Sequence, residues 1–190
     1  MNKNFLIVGG LALIIIVWGV VSYNGLATSK RAIDGAWGQV QVVLQRRMDL
    51  VEQQVGTIKG QTAFEKSTLL AIANARAGIV TAEASGDKEK QIAAAKQVDN
   101  VMYQFRVQVE QYPTLGSNAS FTNFNTVIEG NENRISVERK RYNDAVLAYN
   151  TQLVTFPRML IARLFGFTAE KQYAADAAAQ AAPKIDFGTK

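Results

Sequence analysis

Apolar residues run unbroken from Phe5 to Val21 and thereafter fall into periodic stripes. The run FLIVGGLALIIIVWGVV carries no charge and no strongly polar group. Phe5, Leu6, Ile7, Leu11, Leu13, Ile14, Ile15, Ile16, Val17 and Trp18 would cover every face of a helix. That predicts a bilayer-crossing segment, because a core helix of a globular domain is rarely apolar all round. As a helix the run spans roughly 26 Å, near the lower limit for a crossing. Trp18 and Tyr23 stand where interfacial aromatics are expected. A cleaved signal sequence is the main alternative, with Lys3 as its basic region and Gly25-Leu26-Ala27 as a small-x-small site. The run is long for that role and stops six residues before Ala27. An uncleaved single-pass anchor is the favoured reading.

From Ala36 to Ser85 there is no proline. Steps of seven from Trp37 give Trp37, Leu44, Val51, Ile58, Glu65, Ile72 and Ile79, a coiled-coil-like seam broken only at Glu65. This predicts one long helix that needs partners along its length, with a bend allowed at Gly56 and Gly60. Ser85-Gly86-Asp87 reads as a stop, with Gly86 left-handed and Asp87 capping the next helix. That second helix is predicted over residues 88–112, with its stripe at Ile92, Ala95, Val98, Met102, Phe105, Val109 and Tyr112. After the turn-rich YPTLGSNAS, Ser120 is a plausible cap for a third long helix. Asn118-Ala119-Ser120 matches a glycosylation sequon but is read as loop and cap. The third helix carries Phe121, Ile128, Ile135, Tyr142, Tyr149 and Phe156 at heptad spacing, and in it Tyr-Asn recurs at 142–143 and 149–150. Short loops between long helices imply antiparallel neighbours. The expected fold is therefore all-α: an N-terminal transmembrane helix followed by an elongated antiparallel, four-helix-type bundle. The expected divisions are 1–4 as flank, 5–21 as anchor, 22–156 as bundle, and 157–190 as an apolar segment with an Ala-rich tail. In that last segment Leu160, Leu164, Phe165 and Phe167 are candidate contacts for the bundle end, the bilayer or a partner.

Composition narrows the chemistry. The 190 residues include no His and no Cys, which removes the commonest general base, thiol nucleophiles and the usual transition-metal ligands. Glu129, Glu132 and Glu138 are the nearest approach to a carboxylate site, but no Glu-x-x-His accompanies them, so a di-iron bundle site is excluded. No cofactor is expected. The net charge of +5 is spread among interleaved acids and bases, which argues for a solvated surface rather than a nucleic-acid footprint. Arg46, Arg47 and Asp49 on the first long helix, with Glu132, Arg134 and Arg139 on the third, are candidates for a polar layer that fixes register. Lysines and arginines after the anchor (Lys30, Arg31, Arg46, Arg47) outnumber those before it, a small lean toward a cytoplasmic bundle.

The segments AWGQVQVVLQRRMDLVEQQVGTIKG, YPTLGSNASF and ENRISVERKRYNDAVLAYN, behind the apolar run and Tyr-Asn-Gly-Leu, closely resemble the LemA family of bacterial membrane proteins over about residues 5 to 187. The chain departs from the family at Glu52-Gln53, where Pro-Asn is common, which favours a continuous helix there. It departs again at residues 60–65, where relatives carry a His. The resemblance implies a transmembrane helix, a mostly four-helix domain and a place in the bacterial cytoplasmic membrane. It implies links to the cell envelope or membrane compartments but supplies no activity and no catalytic residues. The resulting expectation is a non-enzymatic scaffold that contacts the bilayer and self-associates as a homo-oligomer. The alternative is an accessory module regulating a membrane-protein partner.

Overall fold

The computed structural model describes residues 3–58, 66–110 and 119–173. Five helices occur among them and no strand: α1 (Lys3–Ile58), α2 (Lys66–Ser85), α3 (Lys88–Glu110), α4 (Ala119–Val154) and α5 (Arg158–Leu164). The fold is an all-helical bundle with a long apolar N-terminal helix, as the pattern predicts.

α1 starts at Lys3, not at Ala36. The apolar run and the first bundle helix are one element, roughly 84 Å long at 1.5 Å per residue. Nothing in residues 22–35 breaks it: there is no proline, and Gly25 and Gly35 are tolerated as isolated positions, each costing about 1 kcal/mol against Ala. Residues 59–65 lie outside the described part, and with them the expected passage from Ile58 to Ile72.

The chain forms two compact units, each discontinuous in sequence. The first joins residues up to Arg47 with Ile128–Gln172. Its core is a line on α1 (Ser22, Leu26, Ile33, Trp37, Val40 and Leu44) and a line on α4 (Ile128, Asn131, Ile135, Tyr142, Val146 and Tyr149), all buried. Intervals of three, four and seven keep each line on one helix face. The segment after Pro157 belongs to this unit through Gln172, so it is an integral part of the packing rather than an appendage.

The second unit holds Met48–Val127 and Tyr173 among the described residues. Met48 and Val51 of α1, Ile72, Ala75 and Ala82 of α2, and Ile92, Ala95, Val98, Met102 and Phe105 of α3 are buried. α2 and α3 form a hairpin whose turn follows its sequence signals. Gly86 has φ +66°, a conformation that side-chain-bearing residues resist. Asp87 Oδ1 accepts from the amides of Glu89 (2.9 Å) and Lys90 (3.3 Å), which capping chemistry requires of a helix start. The side chains of Val109 and Tyr112 lie outside the described residues. α4 begins at Ala119, so Ser120 stands inside the helix instead of capping it.

Candidate functional site

The Tyr-Asn repeat of α4 clasps an extended segment of its own chain. The Tyr142 hydroxyl donates to the Lys171 carbonyl at 2.8 Å, and the Tyr149 hydroxyl to the Thr168 carbonyl at 3.0 Å. Asn150 makes a two-point contact with Glu170: its Nδ2 donates to the Glu170 carbonyl and its Oδ1 accepts from the Glu170 amide, both at 2.9 Å. Heptad spacing follows from this geometry. Seven residues of helix rise about 10.5 Å, and three residues of extended chain cover about 10 Å. Tyr142 and Tyr149 therefore meet carbonyls three residues apart on a strap that runs antiparallel to α4. The carbonyls of an extended segment lying on a helix have no ladder to satisfy them, and the tyrosine tips take that part. Trp37 packs edge-on against Tyr142 at 5.1 Å between centroids, and Lys30 Nζ lies 3.6 Å from Glu170. The heptad count places both tyrosines on the seam, but it gives no sign that an extended segment covers them.

The strap gets its direction from the end of α5. Gly166 has φ +70°, the Gly166 amide donates to the Arg163 carbonyl (3.4 Å), and the Phe167 amide donates to Ala162 (2.9 Å). This pairing closes a helix C-terminus around a left-handed glycine. α5 itself lies against α1 where the apolar run ends. Ile161 Cδ1 is 3.8 Å from the point that a Cβ on Gly19 would occupy, and Arg158 comes as close at Gly25. The rings of Phe165 and Phe167 meet Tyr23 edge-on at 5.0 and 5.6 Å. Gln152 of α4 ties the ends together, donating to Ser29 Oγ and accepting from Arg158, each at 2.9 Å. Phe165 and Phe167 thus contact their own chain, while Leu160 and Leu164 point outward.

Of the six polar-layer candidates, Arg47 and Glu132 come together as an ion pair. The Arg47 side chain is 4% exposed and that of Glu132 about a third exposed. The others do not join them as a layer. Arg46 and Arg134 are exposed, because each stands one or two steps round from a buried position. Arg139 is half-buried. Asp49 turns to Arg76 of α2, at 3.3 Å, and Arg76 also pairs with Glu52. Hydrogen bonding to Glu52 and the Glu52 charge hold the Arg76 guanidinium above its usual pKa. Asn131, one turn from Ile128 and Ile135, is buried, and its amide makes no hydrogen bond among the described residues; its place in the apolar spacing was the only sequence signal for it.

The seam positions Trp37, Leu44, Val51, Ile128, Ile135, Tyr142 and Tyr149 are all buried. Ile58 lies in α1, but its side chain is outside the described set. Phe156 departs from its expected seam position: α4 ends at Val154, so the heptad no longer applies, and the ring is 74% exposed. The anchor residues Phe5 to Val17 are exposed, and little of the apolar window is buried within the chain. Among the described residues no cluster of acidic side chains converges to hold a metal ion.

A model of the LemA family matches residues 36–187, four-fifths of the chain. The chain belongs to the LemA family. The match begins after the apolar run, so the membrane-crossing potential of α1 rests on the run's own length and apolarity. No curated protein matches the chain.

Two consequences of the strap can be measured. Burial first, then the Glu170 and Asp34 carboxylates, push the Tyr142 hydroxyl up to about 12. Tyr149 is raised in the same sense by burial and by Glu170. An unfolded tyrosine ionises near 10. Above that pH the unfolded chain releases a proton that the folded chain retains, so stability is intact below about pH 10 and falls as the pH rises toward about 12. Urea melts across this range should show the decline, and Tyr142→Phe should flatten it. An unchanged slope in that variant would assign the decline to other groups. Asn150→Ala removes both contacts to Glu170. Amide exchange at Glu170 is expected to accelerate on the order of tenfold while the middle of α4 keeps its protection.

Proposed function

We propose that this LemA-family chain is a membrane-anchored helical scaffold that acts by self-association and by organising the bilayer or envelope around it, without catalysing a reaction. The observation that supports this is the continuity of α1. The stretch able to cross a bilayer passes without a joint into a helix that α4, α5 and the strap brace from Ser22 to Leu44. A flexible tether would let a bundle sample many orientations. A continuous helix fixes one, so that copies in the same membrane present the same faces to each other at one height. Such presentation suits repeated contact between identical subunits.

Cross-linking the full chain in native membranes, followed by mass measurement in mild detergent, tests this. A ladder of homo-oligomers is expected. A clean monomer in both settings would count decisively against a scaffold. Recovery of one heterologous membrane protein at fixed stoichiometry, with no self-association, would favour the accessory regulatory module instead.

A further inference from the structure

We infer that α5 and its flanks form a second membrane contact, a shallow apolar foot that lies in the interface of the leaflet where α1 leaves the bilayer. The inference rests on the reading of α1 as a bilayer anchor and adds a site that the anchor alone does not supply. Three observations carry it.

The first is the two-sidedness of α5. Arg158, Ile161, Ala162 and Phe165 follow the spacing of one helix face, and this face packs on α1: Ala162 is buried, Ile161 reaches Gly19, and Phe165 meets Tyr23. Leu160 and Leu164, one turn apart, face the other way and are 51% and 75% exposed. Phe156, four residues before Leu160, is 74% exposed, and Phe165 itself 57%. Several large apolar groups exposed within one short stretch of chain are costly in water and mark an interaction surface.

The second is depth. The apolar run ends at Val21, and its 17 residues fall short of the ~20 that a hydrocarbon core of about 30 Å requires. If the run is placed in a bilayer, the edge of the core falls within about one turn of Val21. α5 packs on α1 between Gly19 and Gly25, at that edge. Leu160 and Leu164 therefore stand at the level where the run stops, and they extend its exposed apolar surface sideways. A short crossing segment is commonly accommodated by flanking residues that reach into the interface.

The third is charge. Arg163 lies on α5 next to the outward leucines and is exposed, and Arg31 is exposed two turns beyond Tyr23 on α1. An exposed arginine beside the outward leucines, with a second further along α1, fits an anionic headgroup layer above acyl chains.

The chain has no cysteine, so single-cysteine variants can be labelled without background. The full-length protein carrying Ile14→Cys, Leu164→Cys or Val42→Cys, each labelled with a polarity-sensitive dye, would be reconstituted in phosphatidylcholine–phosphatidylglycerol vesicles. The label at 14 should be quenched by nitroxides deep in the acyl chains. The label at 164 should be blue-shifted and quenched by nitroxides near the headgroups, and shielded from aqueous iodide. The label at 42 should respond to iodide alone. Iodide quenching at 164 with deep quenching at 14 would overturn the foot and leave the anchor standing. Shielding at 164 from both lipid and aqueous quenchers, with cross-linking through that site, would assign the surface to a second copy and overturn the lipid assignment. Absence of lipid quenching at 14 would overturn the anchor and the foot with it. Replacing phosphatidylglycerol by phosphatidylcholine should weaken the shallow quenching at 164 but not the deep quenching at 14.

Discussion

Tyr142→Ala should destabilise the first unit by about 3–5 kcal/mol, the range for truncating a fully buried aromatic ring. Tyr142 has no exposed surface. Its ring supports Trp37, and its hydroxyl satisfies the Lys171 carbonyl, so truncation opens a cavity and loosens the strap in one change. Tyr142→Phe separates the two effects. The ring and its packing remain, and the loss should be about 1 kcal/mol, the usual net worth of one hydrogen bond. Phe156→Ala is the internal control, because it shares the heptad phase of Tyr142 but not its burial; a change within about 0.5 kcal/mol is expected. Urea denaturation in detergent measures all three, and limited proteolysis near residue 170 reports the strap. Comparable small losses for Tyr142→Ala and Phe156→Ala would refute a structural part for the tyrosine repeat.

Those variants probe the line between what the sequence foretells and what it does not. Helix period is a local property, so the burial of Trp37, Leu44, Val51, Ile128, Ile135, Tyr142 and Tyr149 follows from their spacing alone. The Gly86–Asp87 turn is equally local, since a left-handed glycine before a capping carboxylate is chemistry within five residues. Phe156 fails because a heptad says nothing about where its helix ends, and the turn into Pro157 comes two residues too early. The strap was hidden for another reason. Residues 167–173 have no periodic apolar pattern, and their place is set by backbone carbonyls, which every residue carries alike. Only the unusual pairing of Tyr with Asn on the opposite helix hinted that something polar lay over the seam. The continuity of α1 was likewise invisible. Residues 22–35 lack the all-round apolarity of an anchor and carry only Leu26 and Ile33 as large apolar groups at bundle spacing, although nothing in them stops a helix.

Polar contacts between distant residues are the least legible class, and Arg47 with Glu132 is the pair for which the consequence is largest. Glu132→Ala should cost about 2–4 kcal/mol: removing one partner of a buried pair costs about 3–5 kcal/mol, and water reaches the partly exposed Glu132 and offsets some of that. Arg47→Met alone should cost less, since the carboxylate left behind can be hydrated. The double variant Arg47→Met with Glu132→Leu should return to within about 1 kcal/mol of the parent, because a packed apolar pair competes well with a buried ion pair. A double-mutant cycle in urea gives the coupling directly. Arg76→Ala, at a pair exposed on both sides, serves as the reference and should change stability little. If the pair fixes register, the double variant should regain stability but lose uniqueness. Cysteines placed at the half-buried Ser29 and Gln152 positions, whose side chains meet between α1 and α4, would then be bridged by linkers of more than one length, where the parent background takes one. Equal tolerance of both single changes and the double change would remove the pair from any part in holding α1 and α4 in register. In that case the apolar seam and the tyrosine clasp would have to set the alignment by themselves.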